Sequence, residues 1–291
     1  MRRRGPSVKV EEFSGKDIEH AFDVSNEPAS SLDLEWKTNR AESVKKDLQR
    51  QKTEGGVFNY DTLQCVGKLG AQGHIDQIKG PISTGKEADV FMGYRGEGKI
   101  AIKIYRLNSA SYFRNPTVLE YILGDERFRK IKQTPRDLIH CWSMKEFRNL
   151  KKAEEAKVRA PRPIAVEKNV LVMDFIGDET AAPPLLRYPM GDPEGMFKEI
   201  ISQVKRLYKN DLVHADLSEY NILVNDGKPV LIDFGQGVLL SHPKAMEFLE
   251  RDIKNICYYF KRKGVSSDPK KVLKGILGKK PKVKEEEEKE D

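Results

Sequence analysis

Three residues in the stretch Val213 to Gly235 could do chemistry on a phosphate: Asp216, Asn221 and Asp233. Two carboxylates and a carboxamide are hard oxygen ligands, the kind that suit Mg²⁺ bound to phosphates. They are apart in sequence, so the fold must bring them together. Ile222-Leu223-Val224 and Val230-Leu231-Ile232 are each apolar and short enough to be a strand, and Asn225-Asp226-Gly227 between them carries hairpin-turn residues. Folding that hairpin sets Asn221, at the start of one strand, beside Asp233, at the end of the other. Both then converge near Asp216. The stretch is a candidate phosphoryl-transfer site.

The elements before it follow from their patterning. Lys79 to Ile104 reads as strand, glycine turn, strand, turn, strand, with Ala88-Asp89-Val90-Phe91-Met92 alternating at period two and Ile100-Ala101-Ile102-Lys103-Ile104 as the last strand. Gly80-Pro81-Ile82-Ser83-Thr84-Gly85 is expected between two antiparallel strands. Gly80 to Lys86 has the spacing of a Walker A phosphate loop, but residue 87 is Glu, so the Mg²⁺-binding hydroxyl is missing. A strand pattern also follows it, where a Walker loop would open a helix. Its glycines would still let backbone approach phosphate closely.

Leu107 to His140 is expected to be a long connection, with Pro116, Gly124 and Pro135 along it. Trp142 to Lys157 reads as a helix, and Val166 to Ile176 as two strands around Lys168-Asn169. Asp192-Pro193 is an N-cap and first-turn pair for a helix with Phe197, Ile200, Ile201, Val204 and Leu207 on one face. Met246 to Phe260 is a second amphipathic helix. Leu34 to Gln51 is a charged helical segment, and Gly55-Gly56 breaks it.

The chain has 291 residues, 38% hydrophobic and 33% charged, with a net charge of +7 and a pI near 9.0. The size allows one large domain or two lobes with a real core. The positive balance suits either a polyanionic partner such as nucleic acid or nucleotide, or simple solubility. Cys65, Cys141 and Cys257 form no zinc spacing, and three scattered cysteines fit reduced thiols in the cytoplasm. No apolar run approaches the ~20 residues that cross a bilayer, so no membrane association is expected.

Taken in order, these pieces carry a resemblance: a glycine-rich hairpin, Lys103 on a strand, Glu146 on a helix, Asp216 with Asn221, then Asp233-Phe234-Gly235. Ser83-Thr84-Gly85-Lys86-Glu87-Ala88, His214-Ala215-Asp216-Leu217-Ser218-Glu219-Tyr220-Asn221 and Leu231-Ile232-Asp233-Phe234-Gly235-Gln236 resemble the RIO family of atypical kinases, type-one branch, over residues 56 to 262. The resemblance implies an α+β, two-lobed protein-kinase-like fold with a truncated C-lobe lacking peptide-docking helices. It divides the chain into a charged extension (1–55), an N-lobe with the glycine hairpin and a mobile loop at about 107–140 (56–173), hinge and C-lobe (174–264), and a charged tail (265–291).

The resemblance also implies roles. Asp216 is the proton acceptor, and Asn221 and Asp233 hold Mg²⁺ or Mn²⁺. Lys103 neutralises ATP phosphates and pairs with Glu146, with Glu154 and Glu155 as alternatives. Ser83, Thr84, Gly85 and Lys86 approach the phosphates; Met173, Asp174 and Ile176 meet the adenine. His214 is expected to be structural, bonding to backbone near the metal loop.

Ordinary protein kinases carry Lys two positions after the catalytic Asp, where this chain has Ser218, and no Ala-Pro-Glu follows Gly235. The expectation is therefore an ATP-dependent kinase and ATPase, self-phosphorylating, with Asp233 as a possible phosphoacceptor. Its implied partner is the small ribosomal subunit precursor, and Ser109 and Ser111 are candidate self-phosphorylation sites. An aminoglycoside-type small-molecule kinase and a non-catalytic RNA-binding scaffold are the competing readings.

Overall fold

The computed structural model describes residues 31–51, 58–107, 115–128, 131 and 134–278. Met1–Trp36 and Lys37–Asp291 are separate compact units, and only residues 31–36 of the first are described. They open helix α1, Ser31–Arg50.

An antiparallel sheet of five strands follows: β1 (Gln77–Thr84), β2 (Ala88–Arg95), β3 (Gly98–Tyr105), β4 (Pro163–Glu167) and β5 (Val170–Asp174), in spatial order β1-β2-β3-β5-β4. One face packs on helix α2 (Tyr60–Ala71), where Leu63, Val66 and Leu69 meet Ile102, Ile104, Val170 and Val172. Such side chains each contribute ~1.5–3 kcal/mol when fully buried. Strand alternation sends Lys103 and Tyr105 to the opposite face, toward helix α4 (Pro135–Glu155). Thr134 caps α4, its hydroxyl accepting from the Asp137 N–H at 3.2 Å, with Pro135 in the first turn.

The second hydrophobic cluster is built by helix α5 (Pro193–Lys209), the hairpin β6 (Ile222–Asn225) and β7 (Lys228–Leu231), and helices α6 (Ala245–Lys261) and α7 (Pro269–Leu277). Asp192 caps α5 as its sequence predicts, accepting from the Gly195 N–H at 2.9 Å. Between β6 and β7, Asp226 and Gly227 both take positive φ (51° and 70°), the pairing that a tight primed turn requires. No helix among the described residues is long and apolar enough to cross a membrane.

Four boundaries differ from those the sequence suggests. Gly80–Thr84 belongs to β1 itself and pairs with β2 through register shifts around Pro81, leaving only Gly85, Lys86 and Glu87 as the turn. Proline cannot donate to the ladder, and a bulge accommodates it. Within the charged 1–55 extension, α1 buries Val44 and Leu48 fully in the cluster formed with α2 and the sheet. The connection at 107–140 holds helix α3 (Pro116–Leu123), a 3-10 turn (Glu126–Phe128) and the first turn of α4. The 265–291 tail contains α7, which buries Ile276. α3 and α7 are short helices of eight and nine residues, and each sets its apolar side chains on a ready core. Ser109, Ser111, Gly55, Gly56 and the residues beyond 278 lie outside those described.

Candidate active site

Lys103 stands on β3 opposite Val90 and Leu171 of its neighbouring strands, and its ammonium turns inward. It donates to both carboxylate oxygens of Glu146, at 2.9 and 2.8 Å, and to Asp233 Oδ1 at 3.1 Å. Tyr105, on the same strand face, donates its hydroxyl to Glu146 Oε2. Glu146 is 1% exposed, whereas Glu154 and Glu155 face solvent, so the helix presents one carboxylate to the lysine. Burial opposes the charge on Lys103, but the carboxylates of Asp233 and Glu146 outweigh it and raise its pKa. Burial also pushes the Glu146 carboxyl upward, against the pull of Lys103.

The hairpin makes the convergence that the sequence predicts. The Ile232 N–H donates to the Asn221 carbonyl at 3.0 Å, continuing the β6–β7 ladder by one step, so Asn221 lies beside Asp233. Asn221 Nδ2 donates to the Asp216 carbonyl at 2.8 Å and to Asp216 Oδ2 at 3.0 Å. Its Oδ1 is thereby the atom left to serve as a ligand. Burial, with the neighbouring Asp233 charge, pushes the Asp216 carboxyl up to about 6. Burial would raise Asp233 as well, but the charge and hydrogen bond of Lys103 hold it below the ordinary carboxylate range. Asp233 nevertheless keeps 48% of its side-chain surface open to the cleft.

Two backbone positions at the site carry strain. Ala215 and Asp233 have φ of 62° and 64°, a region that costs non-glycine residues of order 1–3 kcal/mol. Helix α6 holds the first. Asp252 accepts the Ala215 N–H at 2.8 Å and the Leu217 N–H at 3.0 Å, and Asn255 donates to the Leu217 carbonyl at 3.2 Å. Helix α4 holds the segment after the second: Asn149 Nδ2 donates to the Phe234 and Gly237 carbonyls at 2.9 and 2.8 Å, and Lys145 donates to those of Gly235, at 3.0 Å, and Gly237. Gly235 is required here, because a Cβ would lie 2.6 Å from Trp142 Nε1. His214 shares its Nε2 with the Ile232 carbonyl at 3.0 Å, a backbone tie like the one its sequence position suggests. Burial lowers its pKa to about 4, so it is neutral at physiological pH.

The remaining candidates sit at the β1–β2 turn and at the end of β5. Ser83 and Thr84 end β1, exposed, before the turn in which the Gly85 N–H reaches the Ala88 carbonyl at 3.0 Å; Lys86 is also exposed. Met173 pairs with Ala101 across β5 and β3. The Asp174 N–H donates to Arg162 O at 3.0 Å, and the Ile176 carbonyl accepts from the Ala182 N–H at 2.9 Å, so these contacts fix the crossing between lobes. A separate cavity of about 670 Å³ lies by the α5 start and the β6–β7 turn, lined by Arg159, Tyr188, Asp192 and Glu199, and none of these candidates lines it.

Asp252, Lys145 and Asn149 escape a reading of the sequence. Their one signal is a polar residue on an otherwise apolar helix face: Asp252 falls in the stripe of Phe248, Leu249, Ile253 and Ile256.

The RIO domain model matches residues 89–272. The RIO-type serine/threonine-protein kinase Rio1 of Haloferax volcanii is 42% identical over 235 residues, covering 80% of each chain. Its namesake in Methanocaldococcus jannaschii is 41% identical over 258 residues and covers 88% of each. Among solved structures, the Rio2 kinase of Chaetomium thermophilum, described as an ADP/Mg²⁺-phosphoaspartate complex, aligns with a TM-score of 0.57 over 80% of this chain and 73% of its own. At 23% identity that likeness speaks for the fold.

Proposed function

The chain belongs to the RIO family and is an atypical serine/threonine-protein kinase, and on that premise we propose that Asp216, Asn221, Asp233 and Lys103 carry an ATP- and Mg²⁺-dependent phosphoryl transfer. The observation that supports this most is the convergence of Lys103 on Glu146 and Asp233, with Asn221 joining Asp233 to Asp216. Lys103 would neutralise phosphate charge, with Glu146 fixing its ammonium. Asp216, with a carboxyl near 6, is mostly ionised at pH 7 and accepts the proton of an attacking hydroxyl.

Asp233 and the Oδ1 of Asn221 offer two oxygen ligands for Mg²⁺, or Mn²⁺ in its place. Two ligands fit an ion that completes its shell with phosphate oxygens and water. When bound, the ion supplies neutralisation of the phosphate charge. Ser83, Thr84, Gly85 and Lys86 would meet the phosphates at the β1–β2 turn, and the backbone of Asp174 and Ile176, beside Met173, the adenine edge.

The phosphoaspartate in the Rio2 complex supports a second acceptor. An Asp233 carboxylate oxygen would bond to the γ-phosphorus as the bond to the bridging oxygen breaks and ADP leaves. Water then attacks the acyl phosphate, releasing phosphate and restoring the carboxylate, which amounts to ATP hydrolysis. The net charge of +7 suits an RNA-rich partner, and we place the enzyme in the cytoplasm, acting on the small ribosomal subunit precursor. Self-phosphorylation would fall on serines such as Ser109 or Ser111.

Incubation with γ-labelled ATP and Mg²⁺, with and without small-subunit particles, tests these assignments. Self-labelling, a hydroxylamine-sensitive fraction that disappears in Asp233→Ala, and phosphate release stimulated by particles are expected. Label confined to an added amino sugar would replace the proposal with a small-molecule kinase.

A further inference from the structure

Helix α3 returns from the long connection and docks on α6. Its Tyr121, 4% exposed, stacks on Phe248 with ring centroids 4.9 Å apart and meets Trp142 edge-on at 6.4 Å. Arg251, beside Asp252 on α6, lies over the Phe248 ring at 5.0 Å. One terminal nitrogen of that guanidinium donates to the Tyr121 hydroxyl at 3.1 Å and to the Ala215 carbonyl. A terminal guanidinium nitrogen carries two hydrogens, so it can serve both acceptors.

Ala215 precedes Asp216 and has the positive φ already described. Its N–H is taken by Asp252 and its carbonyl by Arg251, so consecutive residues of α6 grip both polar groups of one strained residue. A strained conformation persists where its surroundings over-determine it. Arg251 also places positive charge by Asp216, where Ser218 leaves the catalytic loop without the usual lysine. The guanidinium is fixed on its outer side by an aromatic hydroxyl from a helix some 130 residues earlier.

We propose that Arg251 is a positioning residue for Asp216, and that Tyr121 on α3 holds it in place, so that docking of α3 sets the aim of the catalytic loop. This rests on the reading of Asp216 as the proton acceptor. Arg251 is itself exposed, so water can replace some of its contact and the effect is graded. Misplacing a reacting group by an ångström costs up to roughly 10²-fold, and a smaller displacement here costs roughly ten-fold.

The test is steady-state transfer from ATP by Tyr121→Phe, Arg251→Met and the double variant, with Arg251→Lys as the conservative replacement. Each single variant is expected to lower kcat roughly ten-fold with KM for ATP essentially unchanged. The double variant should be no slower than Arg251→Met, because the hydroxyl acts through the guanidinium. Arg251→Lys, which keeps a charged donor on a shorter stem, should recover part of the rate. Unchanged kcat in both single variants, additive losses, or losses that merely follow melting temperature would overturn the proposal. Asp216→Asn separates the two levels: an inactive Asp216→Asn beside normal Tyr121→Phe and Arg251→Met removes only this inference, whereas an active Asp216→Asn removes both.

Discussion

Lys103 holds its ammonium 2.8 Å from the Glu146 carboxylate, with 10% and 1% of the two side chains exposed. Breaking a buried pair from one side strands the other charge. Lys103→Met should therefore destabilise the fold by about 3–5 kcal/mol. Adding Glu146→Gln should restore much of that loss without restoring transfer. Chemical denaturation of the three proteins checks this, and a double variant no more stable than Lys103→Met would contradict it.

The Asp216 carboxyl, raised to about 6 by burial and by Asp233, must be ionised to accept a proton. The rate should thus fall as pH drops through about 6, about tenfold per unit below it. A pH profile of kcat at saturating ATP and metal measures this. An acid limb near the ordinary aspartate value of about 4 would separate Asp216 from the proton transfer.

Asp252 carries a second pH signature. Burial raises its carboxyl to about 7 despite two backbone N–H groups, so the folded chain holds that proton more tightly than the unfolded one. Its contribution to stability is full below the unfolded value of about 4 and is lost as pH rises to about 7. Asp252→Asn abolishes that slope, and the difference in stability between the two proteins should shrink or reverse across this window. The variant also loses one of the two acceptors for Ala215 and Leu217, so its kcat should fall as well. Parallel stability curves from pH 4 to 7 would count against this assignment.

The segment after Asp233 depends on α4. Asn149→Leu leaves the buried Phe234 and Gly237 carbonyls without that donor, at a cost of about 1–3 kcal/mol. Transfer should fall with it, because the same segment carries the exposed face of Asp233 into the cleft. Thermal melts alongside activity measure both, and full activity in Asn149→Leu would show that Asp233 needs no such support.

What the sequence reveals here follows from locality. The β6–β7 hairpin is written in two apolar runs and an Asn-Asp-Gly turn, so the approach of Asn221 to Asp233 could be foreseen. Lys103 is likewise marked by the alternation of Ile100, Ile102 and Ile104 around it. By contrast, Asp252 reaches Ala215 from 37 residues away, and Lys145 reaches Gly235 from 90. No local period encodes contacts across that span. A lone polar residue on an apolar helix face is the trace they leave. The glycine turn is shorter than its sequence suggests for a related reason: a bulge around Pro81 lets β1 run to Thr84.

The most direct measurement is phosphate turnover from γ-labelled ATP by the intact chain, by Asp216→Ala and by Asp233→Ala, with nucleotide affinity measured in parallel. The account predicts that turnover is abolished in both variants while each still binds nucleotide. Turnover that survives both substitutions would contradict it.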